Sequence, residues 1–95
     1  MKQYKLRPGV MLLQVADEYL LAATREAREF CPYVTQINAS AAAYWRIFEE
    51  TGSMTEILTR ASEVFDKPKE DILLPALAFI KKMSKSGYLL VEENP

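Results

Sequence analysis

The 95-residue sequence contains no histidine, a single cysteine and three glycines. Without histidine, the chain lacks the commonest general base and the commonest ligand of transition metals. Cys31 alone cannot form an internal disulfide or a cysteine cluster for zinc. The few glycines do not form a glycine-rich phosphate loop. We therefore expect a protein that is not an enzyme and that uses no cofactor and no metal.

The sequence has neither a strong net charge nor a long apolar run. Its net charge of -1 removes the general attraction to nucleic-acid phosphates. No apolar run approaches the roughly 18 residues that a membrane helix needs, and the basic start, residues 1–5, is not followed by an apolar signal region. We expect no nucleic-acid partner, no membrane partner and a cytoplasmic location.

Length and composition predict one globular domain over residues 1–95. The hydrophobic fraction of 49% and the charged fraction of 26% are those of an ordinary globular protein. A chain of this length can bury a single hydrophobic core without disulfides or metals.

Strand patterns occupy the first part of the chain. Residues 10–15 and 19–23 are apolar runs separated by three residues, which predicts a β-hairpin, and residues 33–37 predict a third strand. Residues 1–9 are interpreted as a polar segment that ends in a turn. Residues 24–32 are interpreted as a long loop, either a solvated connection or a contact surface for a partner.

Helical patterns follow the third strand. Asn38 or Ser40 is expected to cap a helix over residues 41–50, in which Trp45 is a core residue. Ser53 and Glu56 have the spacing of a capping box, which predicts a second helix.

A third helix is predicted from about residue 68 to Gly87. Pro75 is expected to bend this helix or to delay its start, because proline removes a backbone hydrogen bond. Residues 88–91 are expected to be extended. The predicted fold is α+β, with a three-stranded antiparallel sheet, three helices and a short C-terminal extended segment.

The third strand is followed directly by the predicted helices, so the next part of the sequence offers it no further strand to pair with. An unpaired edge strand is either protected or used for pairing, and we expect an extended peptide to add to it. The apolar arc of the third helix is wider than one packed interface requires, and one margin of it is expected to line a groove beside the strand. The predicted peptide-binding residues are Tyr33, Val34, Thr35, Gln36, Ile37, Ile72, Ala76, Phe79, Lys82 and Met83.

Short segments along residues 6–91 resemble the family of pyrroloquinoline quinone biosynthesis protein D, the PqqD-like recognition elements of ribosomal peptide natural-product pathways. The segments are Arg7-Pro8-Gly9-Val10, Gln36-Ile37-Asn38, the helix through Trp45, Thr55-Glu56-Ile57, Phe79-Ile80 and Lys85-Ser86-Gly87-Tyr88-Leu89. The resemblance implies a winged-helix-like domain. It also implies a peptide chaperone that binds the leader of a precursor peptide and presents it to a modifying enzyme, often a radical SAM (S-adenosylmethionine) protein.

Two alternatives stay open from the sequence. The first is a winged-helix DNA-binding module, although the second helix offers only Arg60 against Glu56, Glu63 and Asp66. The second is a homodimerisation module, in which the edge strand pairs with its own copy.

Overall fold

The computed structural model describes residues 2–24 and 26–93 and shows five strands and three α-helices within them. The elements are β1 (Lys2–Leu6), β2 (Val10–Val15), β3 (Glu18–Ala23), β4 (Thr35–Ile37), α1 (Ala39–Glu50), α2 (Met54–Phe65), α3 (Lys69–Lys85) and β5 (Leu89–Glu93). A short 3-10 helix, Ala27–Glu29, precedes β4. The predicted α+β fold, with its three-stranded antiparallel sheet, three helices and C-terminal extended segment, is confirmed.

The first strand was missed by the sequence patterns. β1 pairs antiparallel with β5, from Lys2 opposite Glu93 to Leu6 opposite Leu89, and the two form a separate sheet. Only Tyr4 and Leu6 are apolar in β1, so the alternation that marks a strand is weak there. Its partner lies at the other end of the chain, beyond the reach of local patterns.

The three-stranded sheet has the order β2-β3-β4, and both of its pairings are antiparallel. A two-residue turn joins β2 to β3, and its first residue, Ala16, has a φ of 54°. Positive φ at this position is typical of tight hairpin turns that match the twist of the strands. Leu21 and Ile37 point into the core, whereas Met11 and Leu13 lie on the exposed face.

The helix ends show which local predictions were right. Asn38 caps α1, since its side-chain oxygen accepts a hydrogen bond from the Ala41 N–H at 2.8 Å. Ser53 is the N-cap residue of α2, as predicted, but the capping box itself is not formed, because the Ser53 side chain makes no capping hydrogen bond. Pro75 does not delay the start of α3, since the helix begins at Lys69 and runs through the proline, so that part of the prediction was wrong. Asp71, whose carbonyl loses its partner there, is exposed and can be hydrated.

Aromatic side chains of α1 join the helices to the strands. Tyr44 stacks on Phe79 of α3 with ring centroids 5.6 Å apart, and Trp45 meets Tyr88 edge-on at 6.3 Å. Trp45 is 1% exposed, which confirms its predicted place in the core. Along the described part of the chain, no helix is both long enough and apolar enough to cross a bilayer.

Candidate functional site

The outer edge of β4 pairs with no strand among the described residues. β4 is the last strand in the order β2-β3-β4 and pairs only with β3. The chain leaves the sheet directly after Ile37, because the Asn38 carbonyl already accepts the first helical hydrogen bond, from the Ala42 N–H at 3.0 Å. An edge of this kind presents backbone donors and acceptors to another chain.

The register identifies which backbone groups point to that edge. In the β2–β3 hairpin, the two-residue turn is closed by the pair Val15 and Glu18, so every second pair from there is hydrogen-bonded. The Thr24 N–H donates to the Gly9 carbonyl at 2.7 Å, which agrees with this count.

The alternation continues across β3 into β4. The β3 residues left to bond to β4 are Tyr19 and Leu21, and their partners are Ile37 and Thr35. The N–H and C=O of Gln36 lie between these two bonded positions, so they point to the open edge. Gln36 is therefore the central backbone contact that β4 offers to an added strand.

One cavity places the start of β4 beside the end of α3, and a second lies between the start of α1, which follows β4 directly, and the start of α3. One, of about 320 Å³, is lined by Tyr33 and Thr35 next to the start of β4 and by Lys85 and Ser86 at the end of α3. The other, of about 200 Å³, is lined by Ser40 just after β4 and by residues near the start of α3, including Pro75. The start of β4 therefore lies near the end of α3 and the chain just after β4 lies near its start, so β4 and α3 run in opposite directions.

One side of α3 runs between these cavities, because Pro75 lines one of them and Ser86 lines the other. Pro75, Phe79, Lys82 and Ser86 are spaced by four, three and four residues, so they lie along one side of the helix. Pro75, Lys82 and Ser86 are exposed, whereas Phe79 is 7% exposed and packs on Tyr44 and Phe48 of α1. We call the area between this side of α3 and residues 34–37 the β4–α3 surface.

Four of the predicted α3 contacts, Phe79 among them, belong to the core. Ile72, Ala76 and Met83 are 2%, 0% and 1% exposed, so they do not line an open groove. The apolar arc is wide because α3 packs on both α2 and β5 as well as on α1. The predicted margin is the side that faces inward, and Lys82 is the one predicted α3 residue that is exposed.

The predicted strand at residues 33–37 is shorter than expected, since β4 begins at Thr35. Tyr33 and Val34 precede it, and they are 76% and 65% exposed. The Tyr88 hydroxyl donates to the Tyr33 carbonyl at 3.2 Å and shares a hydrogen bond of 2.5 Å with the Thr35 hydroxyl. Tyr88 thus anchors the approach to β4, a role that no local pattern in the sequence indicates.

The segment before β4 is anchored rather than free. Ala27 and Cys31 are 1% and 3% exposed, and the Arg7 guanidinium carbon lies 4.0 Å from the centre of the Phe30 ring. Burial raises the pKa of the Cys31 thiol, and the charge of Arg7 lowers it by a smaller amount. A buried thiol with a raised pKa is a poor nucleophile. Residues 24–32 were interpreted as a loop that is either a solvated connection or a contact surface. The first interpretation was wrong for Ala27 and Cys31, which are buried.

Positive charge borders the β4–α3 surface on the α3 side. Lys82 and Lys85 are exposed, and neither forms an ion pair with any other described residue. Their position in the last turn of α3 also suits the helix dipole. No group of three or more metal-binding side chains is found among residues 2–24 and 26–93.

Comparison of the chain with protein-family models, with curated proteins and with solved structures found no match. The resemblance to PqqD-like proteins therefore stays a prediction, and the function is inferred from the site itself.

Proposed function

We propose that the protein is a noncatalytic peptide chaperone, which binds an extended peptide as an additional strand on β4. The observation that carries the proposal is the position of Gln36, whose backbone N–H and C=O point to an open sheet edge beside α3. Strand addition of this kind draws its affinity from backbone hydrogen bonds and its specificity from alternate side chains.

The β4–α3 surface favours a peptide with alternating apolar and acidic side chains. A strand added antiparallel to β4 would start near Pro75 and end near Lys85, because β4 and α3 run in opposite directions. Every second side chain would then face α3. An apolar side chain fits against Pro75, and an acidic one fits beside Lys82 or Lys85.

The resemblance to PqqD-like proteins suggests what the peptide is. The ligand would be the leader of a ribosomally made precursor, and the partner would be a radical SAM protein or another peptide-modifying enzyme in the cytoplasm. Holding the leader would raise the local concentration of the rest of the precursor at the enzyme.

The DNA-binding alternative has less support. Arg60, the one basic residue that the sequence offers on α2, forms an ion pair with Glu50. A gel-shift assay at low salt tests this alternative, because phosphate contacts are strongest there.

A Gln36→Pro variant tests the proposal. Proline at this position removes the N–H that points to the open edge and leaves the bonds to β3 in place. Gln14→Pro is a matched control, because Gln14 is also exposed and its N–H points to the opposite edge of the sheet.

The ligand for this test is the best binder selected from a displayed library of random peptides. Titration calorimetry should show binding to the wild type and to Gln14→Pro, and at least about a tenfold weaker affinity for Gln36→Pro. Equal affinity for a folded Gln36→Pro variant would reject strand addition at β4. Circular dichroism establishes that each variant is folded.

A further inference from the structure

The opposite edge of the same sheet is also unpaired. β2 is the first strand in the order β2-β3-β4, and it pairs only with β3 among residues 2–24 and 26–93. The hydrogen-bonded pairs with β3 involve Met11, Leu13 and Val15, so the N–H groups of Leu12 and Gln14 point to the open edge. The Val10 N–H already donates to the Arg7 carbonyl at 3.4 Å, but the Val10 carbonyl is free to accept.

β2 lacks the features that keep an edge strand from pairing. Its six residues, VMLLQV, include no charged residue and no proline, and they pair with β3 without a bulge. The side chains on its outer face are apolar and exposed, with Met11 51%, Leu13 39% and Val15 57% accessible. A β2 edge left in water would therefore be prone to pair with another strand.

We propose that β2 pairs with β2 of a second copy of this chain, forming a two-fold symmetric dimer with a continuous six-stranded sheet. Antiparallel pairing centred on Leu12 sets Val10 opposite Gln14 of the other copy, and Met11 opposite Leu13. In a two-fold contact, β2 of one copy pairs with β2 of the other, so a charged residue on β2 would lie close to the same charged residue of the other copy. The absence of charge over all six residues makes β2 self-complementary.

A second copy fits β2 better than an extended peptide or the β4 edge does. α3, which borders the start of β4, supplies side chains that distinguish one peptide from another, whereas the outer face of β2 is exposed to solvent. A copy instead brings its own apolar outer face, which joins the row of Met11, Leu13 and Val15. Pairing of two copies through β4 would bring Lys82 and Lys85 of both near one contact, where like charges repel.

Analytical ultracentrifugation from micromolar to millimolar concentration tests the proposal on the full chain. The wild type and Gln36→Pro should reach twice the chain mass of 10.8 kDa. Gln14→Pro, which removes a donor from each copy, should weaken the dimer at least about tenfold. A wild type that stays monomeric, or a folded Gln14→Pro variant that dimerises as the wild type does, would overturn the proposal.

Amide hydrogen exchange of the wild type decides the same question without a variant. The Leu12 and Gln14 amides should become protected as the protein concentration rises. Protection of the Gln36 amide instead would place the dimer contact at β4 and contradict the proposal. Protection of the Leu12 and Gln14 amides only after addition of the library-selected peptide would show that β2 is a peptide edge, which also contradicts it.

Discussion

Replacing Tyr88 by phenylalanine removes one hydroxyl group and tests how the start of β4 is held. Tyr88 is 2% exposed, and its hydroxyl hydrogen-bonds both to the Thr35 hydroxyl, at 2.5 Å, and to the Tyr33 carbonyl, at 3.2 Å. Phenylalanine keeps the ring that packs edge-on against Trp45. The substitution therefore removes the two hydrogen bonds without opening a large cavity.

The expected loss follows from the surroundings of the two partners. A protein hydrogen bond contributes about 0.5–1.5 kcal/mol net, because water replaces it in the unfolded chain. Tyr33 is 76% exposed, so its carbonyl regains a water partner and contributes little to the loss. Thr35 is half-buried, so its hydroxyl is less easily hydrated. We expect Tyr88→Phe to lower the free energy of unfolding by about 1–2 kcal/mol.

Urea unfolding of Tyr88→Phe, Thr35→Val and the double variant measures the effect. The midpoint should fall while the slope stays constant, because the surface exposed on unfolding hardly changes. The double variant should be more stable than the sum of the two single losses implies, by about 0.5–1 kcal/mol. Full additivity, or a Tyr88→Phe variant as stable as the wild type, would refute the role given to the hydroxyl.

Three further predictions concern stability. Ile72→Ala should lower the free energy of unfolding by about 2–5 kcal/mol, whereas Leu74→Ala on the exposed side of α3 should change it by less than about 0.5 kcal/mol, both measured by urea unfolding; similar losses would contradict the assignment of Ile72 to the core. Gly87→Ala should cost about 1–2 kcal/mol in the same assay, because Gly87 has a φ of 86° and an added Cβ would lie 3.1 Å from the Phe30 carbonyl oxygen. The raised pKa of Cys31 stabilises the fold below the thiol's ordinary value of 9.0, and this contribution is lost as the pH rises through the folded-state pKa. In urea unfolding at alkaline pH, the free energy of unfolding of Cys31→Ala should therefore fall less with rising pH than that of the wild type. An identical fall in both proteins would contradict this.

Local patterns predicted the elements whose signals lie within a few residues of each other. The β2–β3 hairpin, the Asn38 cap and the three helices all belong to this class. β1 escaped prediction because its pairing partner, β5, is at the other end of the chain. The continuous course of α3 through Pro75 depends on solvent access to one carbonyl, which the sequence does not specify.

The candidate site was predicted only in part, because some of its contacts are local in sequence and others join distant parts of the chain. The strand predicted for residues 33–37 and the helix predicted directly after it placed the edge strand near Gln36. A helical wheel gives the width of the apolar arc of α3, but it does not show that α1, α2 and β5 cover most of that arc. The four buried residues of α3 that were predicted to bind peptide were therefore assigned to the wrong surface. Tyr88 reaches β4 from 53 residues away, and that contact is visible only in three dimensions.

The most direct test of peptide addition at β4 is amide hydrogen exchange with and without the library-selected peptide. At saturation the Gln36 amide should become strongly protected. The amides of Thr35 and Ile37 should change little, because they already bond to β3. A Gln36 amide that still exchanges freely in the peptide-saturated protein would contradict the proposed binding mode.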